Sequence, residues 1–360
     1  MKGKWLMMRV APMLLVGFLL IAIAACGSRT TTENDAGTSD APNNASQTGE
    51  TVTPAETPPR GGTLRVGLNS IPDVSVMPYV LGWETMREKG WEVEPKFFPT
   101  VDVCVQAVIS GQVDVCDGVA ANSAITAVEK GAALRMFYVT KMTEWQLVTP
   151  KSITRVEDLS GKKVAYHAPG GLTDVLVKDL AQRYQITPEW MVIPGSSVRA
   201  EALLNGQIDA TPAEISDALY ILEQRPDDFH ILVSWLEILE GLPGTGSVAT
   251  ETFLQNNPEA AEIYVEYSLK AARRAVQEPE WIVTQGAKYL PELDPEAFRR
   301  VVDALIEHEI WDVNGGLTEA GAEQAKEFFY NAGQISAPMP IEQWADFGPL
   351  NRVLERLGRQ

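Results

Sequence analysis

"AVISGQVDV" at residues 107–115 and "ALLNGQIDA" at residues 202–210 state nearly one phrase twice. In each copy an apolar stretch with helical spacing stops on a glycine, Gly111 or Gly206, and a short alternating run follows almost at once. Glycine suits the left-handed residue that closes a helix, so each copy reads as a helix-to-strand corner. Such a phrase can end any helix and begin any strand, and two copies can arise by chance. The surroundings decide between these readings.

Around the first copy, "TLRVGLNS" (63–70) and "WEVEPKFF" (91–98) read as strands separated by the helix-like "YVLGWETMREKG". Downstream, "NSAITAVEKG" is a helix that stops on glycine before the strand "ALRMFYVT". Beyond Thr149-Pro150 the same grammar restarts. "KSITRVEDLSGKKVAYHA" holds a short helix and a strand, "GGLTDVLVKDLAQRYQI" a glycine-led helix and "MVIPGS" a strand, and the second copy follows. Helices alternating with short apolar strands predict a parallel or mixed sheet covered on both faces. The fold class is therefore α/β with two lobes, each an open sheet flanked by helices, and the phrase marks the equivalent corner in each. A chain of 360 residues that is 45% apolar can bury two such cores.

Lys2, Lys4 and Arg9 followed by "APMLLVGFLLIAIAA" (11–25) read as an export signal. The run is shorter than the roughly 20 residues a membrane span needs, although a signal anchor is the alternative. Residues 26–60 are polar and predict a disordered tether, with the folded body starting at Gly61-Gly62. The formal charge is −18, and loss of residues 1–25 would make it more negative, which argues against nucleic acid as a partner. Cys104 and Cys116 sit on apolar faces; a pair of buried thiols is the default expectation, with a disulfide open outside the cytoplasm. His167, His230 and His308 are the three histidines. No nucleophile elbow, zinc motif or phosphate loop accompanies them, so neither catalysis nor a metal or cofactor is expected. "GLPGTGSVA" (241–249) is glycine-rich without the dinucleotide-binding order. A lipoprotein serving adhesion or scaffolding is a further class, distinguished by the lack of an occupied cleft.

"IAAC" (23–26), "GGTLRVGLN" (61–69), "SGQVDVCDGVAANSAI" (110–125), "VEDLSGKKVAYHAPGG" (156–171) and "LLNGQIDATPAE" (203–214) together carry a resemblance. The chain resembles the solute-binding proteins of ABC importers, nearest the nitrate, sulfonate, taurine and thiamine-precursor pyrimidine branch, from about Gly61 to about Gln334. The resemblance implies a lipid on Cys26, residence on the extracytoplasmic face of the cell membrane, and two lobes that close on a small solute. It further implies a monomer that hands its solute to ABC permease subunits. On this plan lobe 1 spans 61–148, lobe 2 spans 149–235, and 236–360 returns to lobe 1 with C-terminal helices. The crossings are expected near Thr149-Pro150 and between Ser234 and Pro243. Asn257-Pro258 and Asp294-Pro295 are good helix starts, and Gly333 a good stop.

Ligands of open α/β sheets bind at the carboxyl ends of strands. This points to Asn69 and Ser70 after the first strand, and to Asp117, Asn122 and Ser123 after the first copy. Across the cleft lie Tyr166, His167 and the backbone N–H groups of Gly170 and Gly171, then Thr211, Pro212 and Glu214 after the second copy. Plainer roles compete at each position: Asn122 and Ser123 as helix caps, Gly170-Gly171 as a turn, Glu214 as a solvated carboxylate. Asp114 and Asp209 read as structural. Tyr79, Trp83, Trp145, Tyr166 and Trp235 near the rim favour a planar heterocycle, such as riboflavin or a thiamine pyrimidine precursor, over an anion, unless these rings are core packing. Sulfonate, taurine or nitrate is the alternative solute.

Overall fold

The computed structural model describes residues 61–69 and 72–360. The expected signal peptide (1–25), the tether (26–60), the lipidated Cys26 and the candidate Ser70 lie outside the described residues. Among those described, no helix is long and apolar enough to cross a membrane.

Among the described residues ten strands form the framework. They are β1 (Thr63–Leu68), β2 (Glu92–Phe97), β3 (Val115–Ala120), β4 (Leu134–Met142), β5 (Gln146–Pro150), β6 (Lys163–Tyr166), β7 (Glu189–Val192), β8 (Thr211–Ala213), β9 (Phe229–Ser234) and β10 (Pro243–Thr250). The first sheet has the order β2-β1-β3-β10-β4, with β1 parallel to β2 and β3, and β10 antiparallel to β3 and β4. In the second lobe β8-β5-β9 pair antiparallel and β6-β7 pair parallel. A parallel bridge between Val164 and Ala210 joins the two groups. The resulting order, β7-β6-β8-β5-β9, repeats the order of the first sheet.

The repeated phrase explains this correspondence. Gly111 has φ +73° and Gly206 φ +67°, the left-handed turn that a side chain would strain. Three residues on, Asp114 clamps β1 and Asp209 clamps β6. The carboxylate of Asp114 accepts from Arg65 N at 2.8 Å, and that of Asp209 from Lys163 N at 2.8 Å. The backbone N–H of each aspartate donates to the carbonyl of the same strand residue, again at 2.8 Å. Both copies thus lock a helix-to-strand corner onto the strand beside it.

Helices cover the sheets: α1 (Met77–Glu88), α2 (Val101–Ile109), α3 (Ala121–Glu129), α4 (Leu172–Tyr184), α5 (Ser196–Leu204), α6 (Ile215–Gln224) and the short α7 (Trp235–Ile238). The returning chain adds α8 (Glu251–Asn256), α9 (Pro258–Gln277), α10 (Pro279–Gly286), α11 (Pro295–Glu307), α12 (Glu319–Asn331) and α13 (Gly348–Leu357). Asp294 caps α11 by accepting from Glu296 N and Ala297 N at 3.0 Å each. Gly82 lets α1 lie against α9, because a Cβ there would come within 3.1 Å of Tyr267 O. The chain leaves the first sheet between Met142 and Gln146, a few residues before the expected Thr149-Pro150. Pro150 marks the end of β5 instead, where a residue without an N–H is tolerated. The return runs from Ser234 through α7 to Pro243.

Cys104 on α2 and Cys116 on β3 are joined in a disulfide with Cα atoms 6.0 Å apart, which corrects the default expectation of free thiols. The physical reason is the corner itself: the phrase folds α2 back on β3, and both cysteines face the same fully buried layer.

Candidate functional site

The carboxyl ends of β1 and β3 face those of β6, β7 and β8 across the seam between the lobes. Asn69, directly after β1, donates from Nδ2 to Gly118 O at 3.1 Å and braces the ends of β1 and β3. Gly118, at φ +74°, has no room for a Cβ beside Asn69 Oδ1. Asn122 does not cap its helix. Its Nδ2 crosses the seam and donates to Gly170 O at 2.9 Å, while its buried Oδ1 has no hydrogen-bond partner among the described residues. Ser123 is half-buried one residue further along α3.

On the facing side, Gly170 and Gly171 form a turn whose N–H groups are already used. Gly170 N donates to Asp174 Oδ2 at 2.8 Å and Gly171 N to Ala168 O at 3.1 Å, so the expected open pair of donors is corrected to a single carbonyl facing Asn122. His167 Nδ1 accepts from Gly195 N at 3.1 Å, tying the loop after β6 to the loop after β7. Burial, with Arg199 nearby, lowers the pKa of this imidazole.

Four of the aromatic expectations are corrected. Tyr79 and Trp83 are each 2% exposed and pack on one another with ring centroids 5.8 Å apart. Tyr166 meets Trp190 edge-on and lies under Lys178. Trp235 is buried at the second crossing. In each case tertiary packing takes the ring face that a ligand would need. Trp145 stays half-buried at the first crossing, where its carbonyl accepts from Trp235 N at 3.1 Å.

The main charged feature of the seam was not expected from the sequence. Lys141 lies at the end of β4, and its Nζ donates to Ser75 Oγ at 3.0 Å, to Glu144 Oε1, and across the seam to Glu214 Oε1 at 3.4 Å. Burial would favour loss of its proton, but Glu144 and Glu214 outweigh that and hold its pKa above the ordinary value. Glu214 occupies the N-cap position of α6. Burial pushes its carboxyl up to about 8; Lys141 opposes this, and Glu144, Asp73 and Asp217 add to it. Arg199 is buried beneath the same loops and donates to Thr211 Oγ1 at 2.9 Å and to the carbonyls of Ile193 and Pro212 at 3.2 Å each. Thr211 and Pro212 therefore serve this internal arginine. A lone Lys in an apolar strand and a Glu in an unpunctuated crossing carry no motif; Asp73, four residues after Asn69, was the available signal.

A cavity of about 610 Å³ opens beside this cluster. Asp73 and Val74 of the first lobe line it, with Asp217 and Tyr220 of α6 facing Tyr289 and Arg300 of the returning segment. Arg300 spans it as an ion pair, donating to the two oxygens of Glu223 at 2.7 and 3.2 Å.

Asp117, by contrast, is sealed within the first lobe, where Ser247 Oγ and Tyr264 Oη both donate to its carboxylate. Burial raises its pKa to about 6 against the effect of those hydroxyls.

A family model described as NMT1/THI5 like matches residues 86–282. No curated protein sequence matches the chain. Solved structures do. A protein of Bordetella bronchiseptica RB50 is 20% identical, with 82% of this chain and 98% of that chain covered and a TM-score of 0.67. The periplasmic aliphatic sulphonate binding protein SsuA of Escherichia coli is 16% identical, with 79% and 98% covered and a TM-score of 0.63. The periplasmic nitrate-binding protein NrtA of Synechocystis PCC 6803 is 11% identical, with 83% and 90% covered and a TM-score of 0.66.

Proposed function

The chain belongs to the NMT1/THI5-like family and has the periplasmic-binding-protein fold, and from that premise we propose that it is the solute-binding component of an ABC importer. It captures a small molecule at the seam between its lobes and delivers it to a membrane permease. The observation that carries this reading is the pair of like-built sheets facing each other, bridged by Asn122–Gly170 and Lys141–Glu214, with a cavity of about 610 Å³ lined by Asp73 of the first lobe and Asp217 of the second. That volume lies within the range of small-molecule sites. The buried Cys104–Cys116 bridge suits an oxidising, extracytoplasmic compartment, in keeping with export and a lipid on Cys26.

The solute in this reading is a planar heterocycle of the riboflavin or thiamine-pyrimidine kind. Tyr220 and Tyr289 line the cavity, replacing the rings that packing has taken, and half-buried Trp145 lies at the crossing. The sulfonate or nitrate alternative rests on the named ligands of SsuA and NrtA. The test is to release and identify by mass spectrometry whatever small molecule the purified protein carries, then rebind it. Stoichiometric rebinding without chemical change is expected, and conversion to a product would contradict the proposal.

A further inference from the structure

We infer that the solute presents a positively charged, N–H-bearing nitrogen group to the carboxylates of Asp73 and Glu214, with Lys141 acting as an internal counter-ion and not as an anion receptor. This deepens the proposed function and rests on it.

The cations around the seam are already committed. Lys141 is shared among Ser75, Glu144 and Glu214. Arg199 spends its donors on Thr211, Ile193 and Pro212 inside the second lobe. Arg300 is held by both oxygens of Glu223. A sulfonate or nitrate that displaced the partners of Lys141 would face the charges of Glu144, Glu214 and Asp73 that act on it.

The carboxylates, in contrast, have capacity to spare. Asp73 uses Oδ1 for Ser75 N and Ser75 Oγ at 2.8 and 2.7 Å, and among the described residues its Oδ2 accepts nothing. The one lysine at Glu214 serves Glu144 as well, so the cluster is underneutralised. The high pKa of Glu214 reports the same imbalance: burial, Glu144, Asp73 and Asp217 favour its protonated form against Lys141 alone. A cation placed beside it would reverse that preference.

Buried polar atoms without partners point to a ligand independently of the charge count. Thr143 Oγ1, next in the chain to Glu144, is unpartnered among the described residues, as is Asn122 Oδ1 at the Gly170 bridge. Tyr79 Oη, by contrast, is sealed in the first-lobe core, where burial and then Asp117 act on it most strongly, so its lack of a partner says nothing of the seam. Buried polar groups are nearly always paired in folded proteins, so Asn122 Oδ1 and Thr143 Oγ1 leave hydrogen-bonding capacity at the seam that a ligand would fill. Asn122 Oδ1 accepts only, which matches an N–H of the solute.

The test uses probes of one shape and opposite charge, benzamidinium and benzenesulfonate, with calorimetry and thermal shift as readouts. Ion-exchange fractions of a small-molecule extract of the source cells are read in parallel. Benzamidinium should bind at least tenfold more tightly than benzenesulfonate, and the stabilising extract fraction should be one retained by a cation exchanger. Glu214→Gln should weaken benzamidinium binding about tenfold while the protein still melts cooperatively. Asp73→Asn serves in its place if Glu214→Gln does not fold. Preferential binding of benzenesulfonate, a stabilising fraction found only among anions or neutral compounds, or unchanged benzamidinium affinity in the variant would overturn this inference and leave the receptor reading standing. Failure of every probe and every fraction would overturn both.

Discussion

Replacing Asp114 or Asp209 with Ala perturbs the same device in each lobe, and the structure sets how far the two effects should differ. Each aspartate accepts a charge-assisted bond from a backbone N–H of the adjacent strand, β1 for Asp114 and β6 for Asp209, at 2.8 Å. Hydrogen bonds to charged groups contribute about 1.5–3 kcal/mol. Both carboxylates are partly exposed, so the lower end applies, and Asp209→Ala should cost about 1.5 kcal/mol. Asp114 also pairs with the Arg65 guanidinium, whose side chain is 37% exposed. An exposed pair of this kind adds at most about 1 kcal/mol, so Asp114→Ala should cost about 2–2.5 kcal/mol. For a body of this size each kcal/mol lowers Tm by roughly 2–4 °C. Urea unfolding followed by tryptophan fluorescence measures the free energies, and hydrogen exchange locates them. Protection should fall first in peptides covering β1 for Asp114→Ala and β6 for Asp209→Ala. If Asp209→Ala unfolded like the parent protein, or if exchange rose equally in both lobes for either variant, the equivalence of the two corners would be refuted.

Asp117 should make stability depend on pH. Its folded pKa of about 6 lies above the unfolded value of about 3.9, so folding takes up a proton between them. Stability from this group is therefore greatest below about pH 4, falls as pH rises through about 6 and is level above that, by at most about 3 kcal/mol in total. Asp117→Asn should flatten this slope in urea midpoints measured from pH 4 to 7; identical slopes in both proteins would contradict the assignment. Replacing both Cys104 and Cys116 with Ser opens a crosslink of sequence separation 12 and should cost about 3 kcal/mol. Reductant should lower the Tm of the parent protein and leave the double variant unchanged, and equal Tm values in fully reduced and oxidised parent protein would count against a stabilising bridge.

The fold was legible because its signals are local. Gly111 and Gly206 announce their turns, and the alternation after each announces a strand, so the doubled α/β plan follows from neighbours in sequence. The first crossing was misplaced because Pro150 is the stronger turn signal, whereas Thr143–Trp145 carries no Gly or Pro at all. Asn122 and Glu214 were singled out by their places at strand ends, and each makes a hydrogen bond across the seam. The aromatic residues were harder to read. Whether a ring faces a ligand or a helix depends on what packs against it, and Trp83, Tyr166 and Trp235 are all taken by the protein itself. Lys141 and Glu144 escaped for a related reason: a strand lysine earns significance only when the carboxylates of distant segments converge on it.

A distance between the lobes, read with and without solute, tests the central claim most directly. Spin labels at exposed Lys130, beyond the end of α3, and at exposed Gln182 of α4 report across the seam, and the bridged native cysteines do not compete for the label. Saturation with the solute recovered from the protein should shift and narrow the distance distribution, because the lobes turn about the crossings at Thr143–Trp145 and Ser234–Pro243. A distribution that stays the same when solute is bound stoichiometrically would contradict capture by lobe closure.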